Sequence, residues 1–165
     1  MNNLHPSIQN WLDTRTEEKR GLYLFGTTGT GKTHNLKILH EKNKKKDGKI
    51  KYYSVPNFLD EIARLRQQLS ADNSQFGYIS SRLDTMLSGK KAVILDDLGT
   101  ETLSERKLED LYRLINGMYE NKRTLIISSN LSVAELERKL GDRICSRIVE
   151  MCHLVELTGE DRRFK

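Results

Sequence analysis

Gly26-Thr27-Thr28-Gly29-Thr30-Gly31-Lys32-Thr33 is the stretch that decides the fold. It matches G-x-x-x-x-G-K-[ST] at every fixed position, and the spacing has a chemical reason. Glycines admit backbone angles that turn successive N–H groups inward, which makes a nest for a polyanion. A helix opening near Gly31 adds its positive pole. Lys32 then reaches the outer phosphates of a nucleotide, and the Thr33 hydroxyl is placed to ligate Mg2+. A chance glycine turn before a helix would have a similar composition, but the flanks argue against it. Gly21-Leu22-Tyr23-Leu24-Phe25 reads as a short buried strand upstream, and Leu36, Ile38 and Leu39 recur at helical spacing downstream.

Working outward, apolar runs and turn signals keep alternating. Asp47-Gly48 breaks the first helix, and Ile50 to Val55 has the β-branched and aromatic content of a strand. Pro56 opens a helix with Phe58, Leu59, Ile62, Leu65 and Leu69 on one stripe, and a further helix runs through Ile79, Leu83 and Leu87. Ala92-Val93-Ile94-Leu95 is the most apolar strand and is expected to be central. Leu108, Leu111, Leu114 and Ile115 mark the next helix, Thr124 to Ile127 a fourth strand, and Ser132 caps a helix running to Leu140. Gly141 precedes another helix, with Ile144 and Ile148, and Leu154 to Leu157 reads as a last strand. Strands alternating with helices at short spacing predict an α/β, doubly wound parallel sheet, whose ligands bind beyond the carboxyl ends of the strands.

The other candidate residues fall at those ends. Asp96 and Asp97 follow the apolar strand directly, and two adjacent carboxylates repel unless a cation or a catalytic task holds them. Asp96 is the candidate for holding Mg2+, and Asp97 for polarising an attacking water. Taken alone, the pair reads equally as two acids starting a surface loop. Asn130 follows the fourth strand and is placed to orient that water without adding charge, although asparagine is also an ordinary turn residue. Arg143 and Arg147 lie four apart on one helix face, and Arg162 and Arg163 follow the last strand. Such arginines suit either a phosphoryl transition state or a surface ion pair with Glu150 or Asp142, and spacing does not choose between them.

Composition narrows the setting. The 165 residues suit one domain, with 36% hydrophobic and 31% charged residues and a formal net charge of +5. No apolar run approaches the roughly 18 residues of a membrane span, and the N-terminus lacks a secretory layout. Cys145 and Cys152 have no second pair with which to build a zinc site, so reduced thiols in a cytoplasmic protein are expected. The basic run Lys42, Lys44, Lys45, Lys46, Lys49 and Lys51 reads as a solvated helix end complementing the dipole, with a polyanion contact as the alternative.

Together GTTGTGKTH, AVILDDLGTE, TLIISSN and GDRICSRIVEMCHLVELTGEDRR resemble the AAA+ ATPases of the DnaC/DnaI replicative helicase-loader family, over roughly Gly21 to Arg163. The resemblance implies an AAA+ sheet of five parallel strands flanked by helices, without a complete lid, over residues 21–165. Residues 1–20 are left as a short helical segment. It implies ATP or ADP with Mg2+, held by Gly26 through Thr33 and the adjoining His34. Asp96 and Asp97 take the Walker B positions, with Asp96 and Thr33 toward the metal. Asn130 becomes the first sensor, Arg147 an arginine finger acting on a neighbouring subunit's nucleotide, and Arg163 the second sensor.

The implied partners are a replicative helicase, single-stranded DNA near Arg64, Arg66 and Lys51, and further copies of the chain or a full-length loader. Such loaders carry an N-terminal domain that grips the helicase. Residues 1–20 hold room only for a small amphipathic helix with Ile8, Trp11 and Leu12, so another surface would have to serve, and Trp11 is expected to pack on the core. The second acid is Asp, where many relatives have Glu, and its shorter reach is expected to slow hydrolysis. Three rivals stand beside the loader. A transposition helper of the IstB type shares these motifs and binds duplex DNA. An adaptor or inhibitor of a full-length loader would hold nucleotide with little turnover. A small kinase would need an acceptor site and an arginine-rich lid, and the sequence offers neither.

Overall fold

The computed structural model describes residues 4–44, 50–69 and 92–159. In chain order the elements are α1 (Pro6–Thr14), β1 (Gly21–Phe25), α2 (Lys32–Lys44), β2 (Ile50–Ser54), α3 (Val55–Leu69), β3 (Ala92–Leu98), α4 (Glu105–Glu120), β4 (Thr124–Ser129), α5 (Val133–Leu140), α6 (Asp142–Met151) and β5 (Cys152–Glu156). The helix expected through Ile79, Leu83 and Leu87 lies outside the described residues, as do Lys45, Lys46, Lys49, Arg162 and Arg163.

The strands pair in parallel in the order β2-β3-β4-β1-β5. Successive side chains of a strand point to opposite faces, so the inner strands need apolar residues throughout. On one face Leu22, Leu24, Ile94 and Ile126 bury against Leu36 and Leu39 of α2 and Ile8 and Trp11 of α1. On the other, Tyr23, Val93, Leu95, Leu125 and Ile127 meet Phe58, Leu111, Leu114, Leu136 and Ile148 from α3, α4, α5 and α6. Each such leucine or isoleucine contributes about 1.5–3 kcal/mol by leaving water. Trp11 is buried as expected and has Arg15 over its ring at 5.4 Å. The chain moves from β1 across to β2 and then works back, so the sheet reverses direction beside β1. That is where a doubly wound fold opens a crevice for ligands.

Three boundaries differ from the sequence reading. Helix α3 begins at Val55, one residue before the expected Pro56, so Val55 belongs to the helix rather than to β2. Strand β5 starts at Cys152, because that residue, the C-cap of α6, is already extended (φ −115°, ψ 144°). Strand β3 continues through the acidic pair to Leu98, and its pairing with β4 is irregular between Leu95 and Leu98. Asp97 sits in that bulge with φ 62°, a left-handed conformation that few non-glycine residues adopt. The bulge turns consecutive carboxylates in different directions.

Loop ends are closed by local chemistry. Ser132 and Glu135 form a reciprocal capping box at the start of α5. Gly141 alone joins α5 to α6. Arg66 of α3 donates both terminal nitrogens in a parallel fork to Asp110 of α4. Asp110 is 1% exposed. Arg64 and Lys51 are exposed.

Candidate nucleotide site

The loop after β1 is folded back on itself before any ligand is considered. Gly26 has φ +138°, and a Cβ built on it would stand 2.2 Å from the Leu157 carbonyl oxygen. The chain after β5 therefore passes where any side chain at residue 26 would be, fixed there by the Leu157 N–H bond to Phe25 O at 2.7 Å. Inside the loop the Thr30 hydroxyl donates to Thr27 O at 2.9 Å. Lys32 is buried, and its Nζ donates to Gly26 O at 2.6 Å and to Thr27 O at 2.7 Å. At the start of α2, Asn35 links two segments. Its Nδ2 donates to Gly31 O at 2.9 Å, while its Oδ1 accepts the His5 N–H at 2.8 Å.

A cleft of about 530 Å³ opens above this loop, lined by Thr28, Gly29, Gly31, Lys32, Thr33, His34, Asp97 and Asn130. Asn130 reaches it because β4 neighbours β1, with Phe25 opposite Ser129, so the ends of both strands face one space. Asp96 lies just beneath, 3% exposed, and accepts a bond from the Thr33 hydroxyl at 3.1 Å. Two further hydroxyls converge on it, Ser128 Oγ on the same oxygen, Oδ1, and Tyr52 Oη on Oδ2. Ser128 also accepts the Asp97 N–H at 3.0 Å, which ties the bulge to β4.

The charges in this space shape one another. Burial pushes the Lys32 ammonium below its ordinary pKa, while Asp97 and Asp96 pull it back up. Burial and then the neighbouring Asp96 push the Asp97 carboxyl up, with Lys32 opposing. Burial, followed by the bond to Asp96, pushes the Tyr52 phenol up, so it remains a donor. A carboxylate whose pKa is raised in a water-accessible cleft is suited to taking a proton. The donor set also fits Mg2+, a hard cation held by one or two carboxylates plus substrate phosphates. The Thr33 hydroxyl donates to Asp96 and keeps its lone pairs for a metal.

The structure thus brings Thr28, Gly29, Gly31, Lys32, Thr33, His34, Asp97 and Asn130 to one cleft, with Asp96 beneath it and Gly26, Thr27 and Thr30 shaping the loop behind. Arg147 is not among the cleft residues. It lies on α6 with its guanidinium 4.4 Å from the Tyr119 ring centroid and 3.8 Å from Glu150. Arg143, one turn earlier, stacks on Tyr112 at 4.2 Å. Arg163 falls outside the described residues. Tyr52 and Ser128 were not singled out from the sequence. A polar pair closing an apolar strand was a signal for Ser128, but Tyr52 requires the register of β2 on β3, which no local pattern supplies.

The sequence profile of IstB-like ATP binding proteins matches residues 11–165. The chain belongs to that family. Among relatives, the IstB-like chain is similar to an insertion-sequence ATP-binding protein of Sinorhizobium fredii, 28% identical over 159 residues, covering 93% of this chain and 59% of that protein. It therefore spans less than two thirds of that relative's length. The crystal structure of the DnaC helicase loader superposes with a TM-score of 0.74 at 26% identity, over 92% of this chain and 86% of that one. AMPPCP-bound DnaA of Aquifex aeolicus shares the fold with a TM-score of 0.75 at 23% identity, over 96% of this chain and 47% of that one. This IstB-like protein is accordingly an ATP-binding AAA+ protein with an α/β P-loop fold.

Proposed function

We propose that the chain is a Mg2+-dependent ATPase that assembles with further copies on DNA in its ATP-bound state and there acts as a loader of a replicative helicase. The observation that carries this is the meeting of the phosphate loop, Asp97 and Asn130 at one cleft, with Asp96 bonded to Thr33 just beneath it and Arg147 stacked on Tyr119 of α4. When nucleotide binds, Lys32 exchanges two loop carbonyls for the outer phosphates. Thr33 and Asp96 would hold a magnesium ion, which would supply neutralisation of phosphate charge. His34 and the loop backbone hold the nucleotide, and Arg163 completes the set as the second sensor. Asn130 orients a water. Asp97 takes a proton from that water as its oxygen bonds to the terminal phosphorus, and the bridging P–O bond breaks to release ADP. Arg147 stabilises the transition state in a neighbouring copy. The cytoplasm suits the two buried free thiols, Cys145 and Cys152. Among the described residues no helix is long and apolar enough to cross a membrane.

A second reading, a transposition helper, is favoured by the family profile and the insertion-sequence relative. The deciding experiment measures ATP turnover per subunit against protein concentration, alone and with single-stranded or duplex DNA. Turnover that climbs with concentration and rises further with single strands supports the loader. A rise with duplex alone supports the transposition helper. Tight ATP binding with flat, negligible turnover refutes hydrolysis and leaves an adaptor. Lys32→Ala should abolish tight nucleotide binding, and unchanged affinity would sink the site assignment.

A further inference from the structure

We propose that Tyr52 is a positioning residue for the magnesium site, acting through Asp96; the inference rests on the site reading above. Asp96 is a buried carboxylate with a donor on each oxygen, and the two oxygens are served from different sides. Oδ1 accepts Thr33, at 3.1 Å, and Ser128, which belong to the phosphate loop's helix and to β4. Among the described residues, Oδ2 accepts Tyr52, which belongs to β2. The carboxylate plane is thereby fixed by three elements, and only the contribution from β2 acts on the second oxygen.

The reach is set by the sheet. Tyr52 pairs with Ile94, and Asp96 lies two residues further along β3 on the same face, a diagonal of about 8 Å from the usual rise and strand spacing. A tyrosine spans that distance with its hydroxyl, whereas a phenylalanine ends in carbon. The ring is itself braced, half-buried against the α2 face of the sheet and tilted over His40 at 5.7 Å. Tyr52 therefore arrives with little rotamer freedom left to lose. A buried carboxylate oxygen that loses its donor seeks another, and among the described residues the Thr33 and Ser128 hydroxyls already bond the same carboxylate. Rotation toward them would turn the carboxylate away from the direction that, with Thr33, faces the phosphates. Partners that orient a metal ligand from behind typically carry 10–100-fold in metal affinity.

The test uses the full chain and a fluorescent ATP analogue. Tyr52→Phe should raise the Mg2+ concentration needed for half-maximal analogue binding about ten-fold. Its binding in EDTA should stay at the wild-type level. Asp96→Asn should remove most of the Mg2+ dependence, and Tyr52→Phe added to it should change nothing further. If Asp96→Asn leaves the Mg2+ dependence intact, the site reading fails. If Asp96→Asn alters it but Tyr52→Phe does not, Tyr52 is structural only and the inference is overturned. Should Tyr52→Phe not fold, the wild-type protein labelled with 13Cζ-tyrosine still decides. The Tyr52 resonance must move when Mg2+ is added to the ATP-bound protein, and a static resonance overturns the inference.

Discussion

Removing the Arg66 side chain tests the packing behind the site. Arg66 offers a two-pronged fork to Asp110, whose side chain is 2% exposed while that of Arg66 is 21% exposed. Arg66→Ala strands a carboxylate inside the α3–α4 seam, and breaking a buried pair from one side costs about 3–5 kcal/mol. Partial solvent access to the guanidinium places the expected loss at the lower end. At about 2–4 °C per kcal/mol for a chain of this size, the thermal midpoint should fall by about 6–12 °C. Replacing both partners by apolar residues, Arg66→Met with Asp110→Leu, removes the charge together with its counter-charge and should leave the midpoint within about 3 °C of wild type. Circular dichroism melts and urea titrations of the three proteins measure this. A single variant that loses less than about 1 kcal/mol would refute the reasoning, as would a double variant that falls as far as the single. On the proposed DNA-binding reading, the double variant should match wild type in single-stranded DNA affinity, because Asp110 engages the Arg66 guanidinium.

Three other outcomes are expected. Because the native state holds the Asp97 proton to higher pH than the unfolded chain does, stability falls as pH rises from the ordinary carboxylate range through the raised folded value. Asp97→Asn should therefore melt higher than wild type at pH 8, with the gain shrinking toward pH 4, while turnover is lost; an equal gain at both pH values would contradict the assignment. Gly26→Ala forces a Cβ against the Leu157 carbonyl in a backbone region costing about 1–3 kcal/mol for other residues, so both stability and ATP binding should drop, and retention of both would show that the loop moves freely. Arg147→Ala should bind ATP normally but lose the rise of turnover with protein concentration, and a wild-type concentration dependence would place the finger elsewhere.

Much of this was legible in the sequence because the signals are local. Glycine spacing, a strand before it and a helix after it specify the phosphate loop without any long-range contact. The apolar runs of β1, β3 and β4 stand out because strands covered on both faces cannot alternate with polar residues. Less was legible where an outcome depends on distant partners. Arg66 is one exposed-looking arginine among several until α3 packs on α4. The continuation of β3 through Asp96 and Asp97 depends on Ser128 and Ser129 of the neighbouring strand, which bind Asp96 and the Leu98 carbonyl. The start of β5 is hidden in the sequence because Cys152 serves both as the stop of a helix and as the first residue of a strand.

The amide of Asn35 has a mechanical meaning. It joins the backbone at His5 to the backbone at Gly31 through a single side chain, so tension applied at the amino end is delivered to the floor of the ATP cleft. Pulling the protein through that end brings the phosphate loop into the force path through Asn35. Pulling through exposed positions of α4 does not act on that link directly. Nucleotide affinities measured in the two geometries would differ by whatever work the tether does on that one amide.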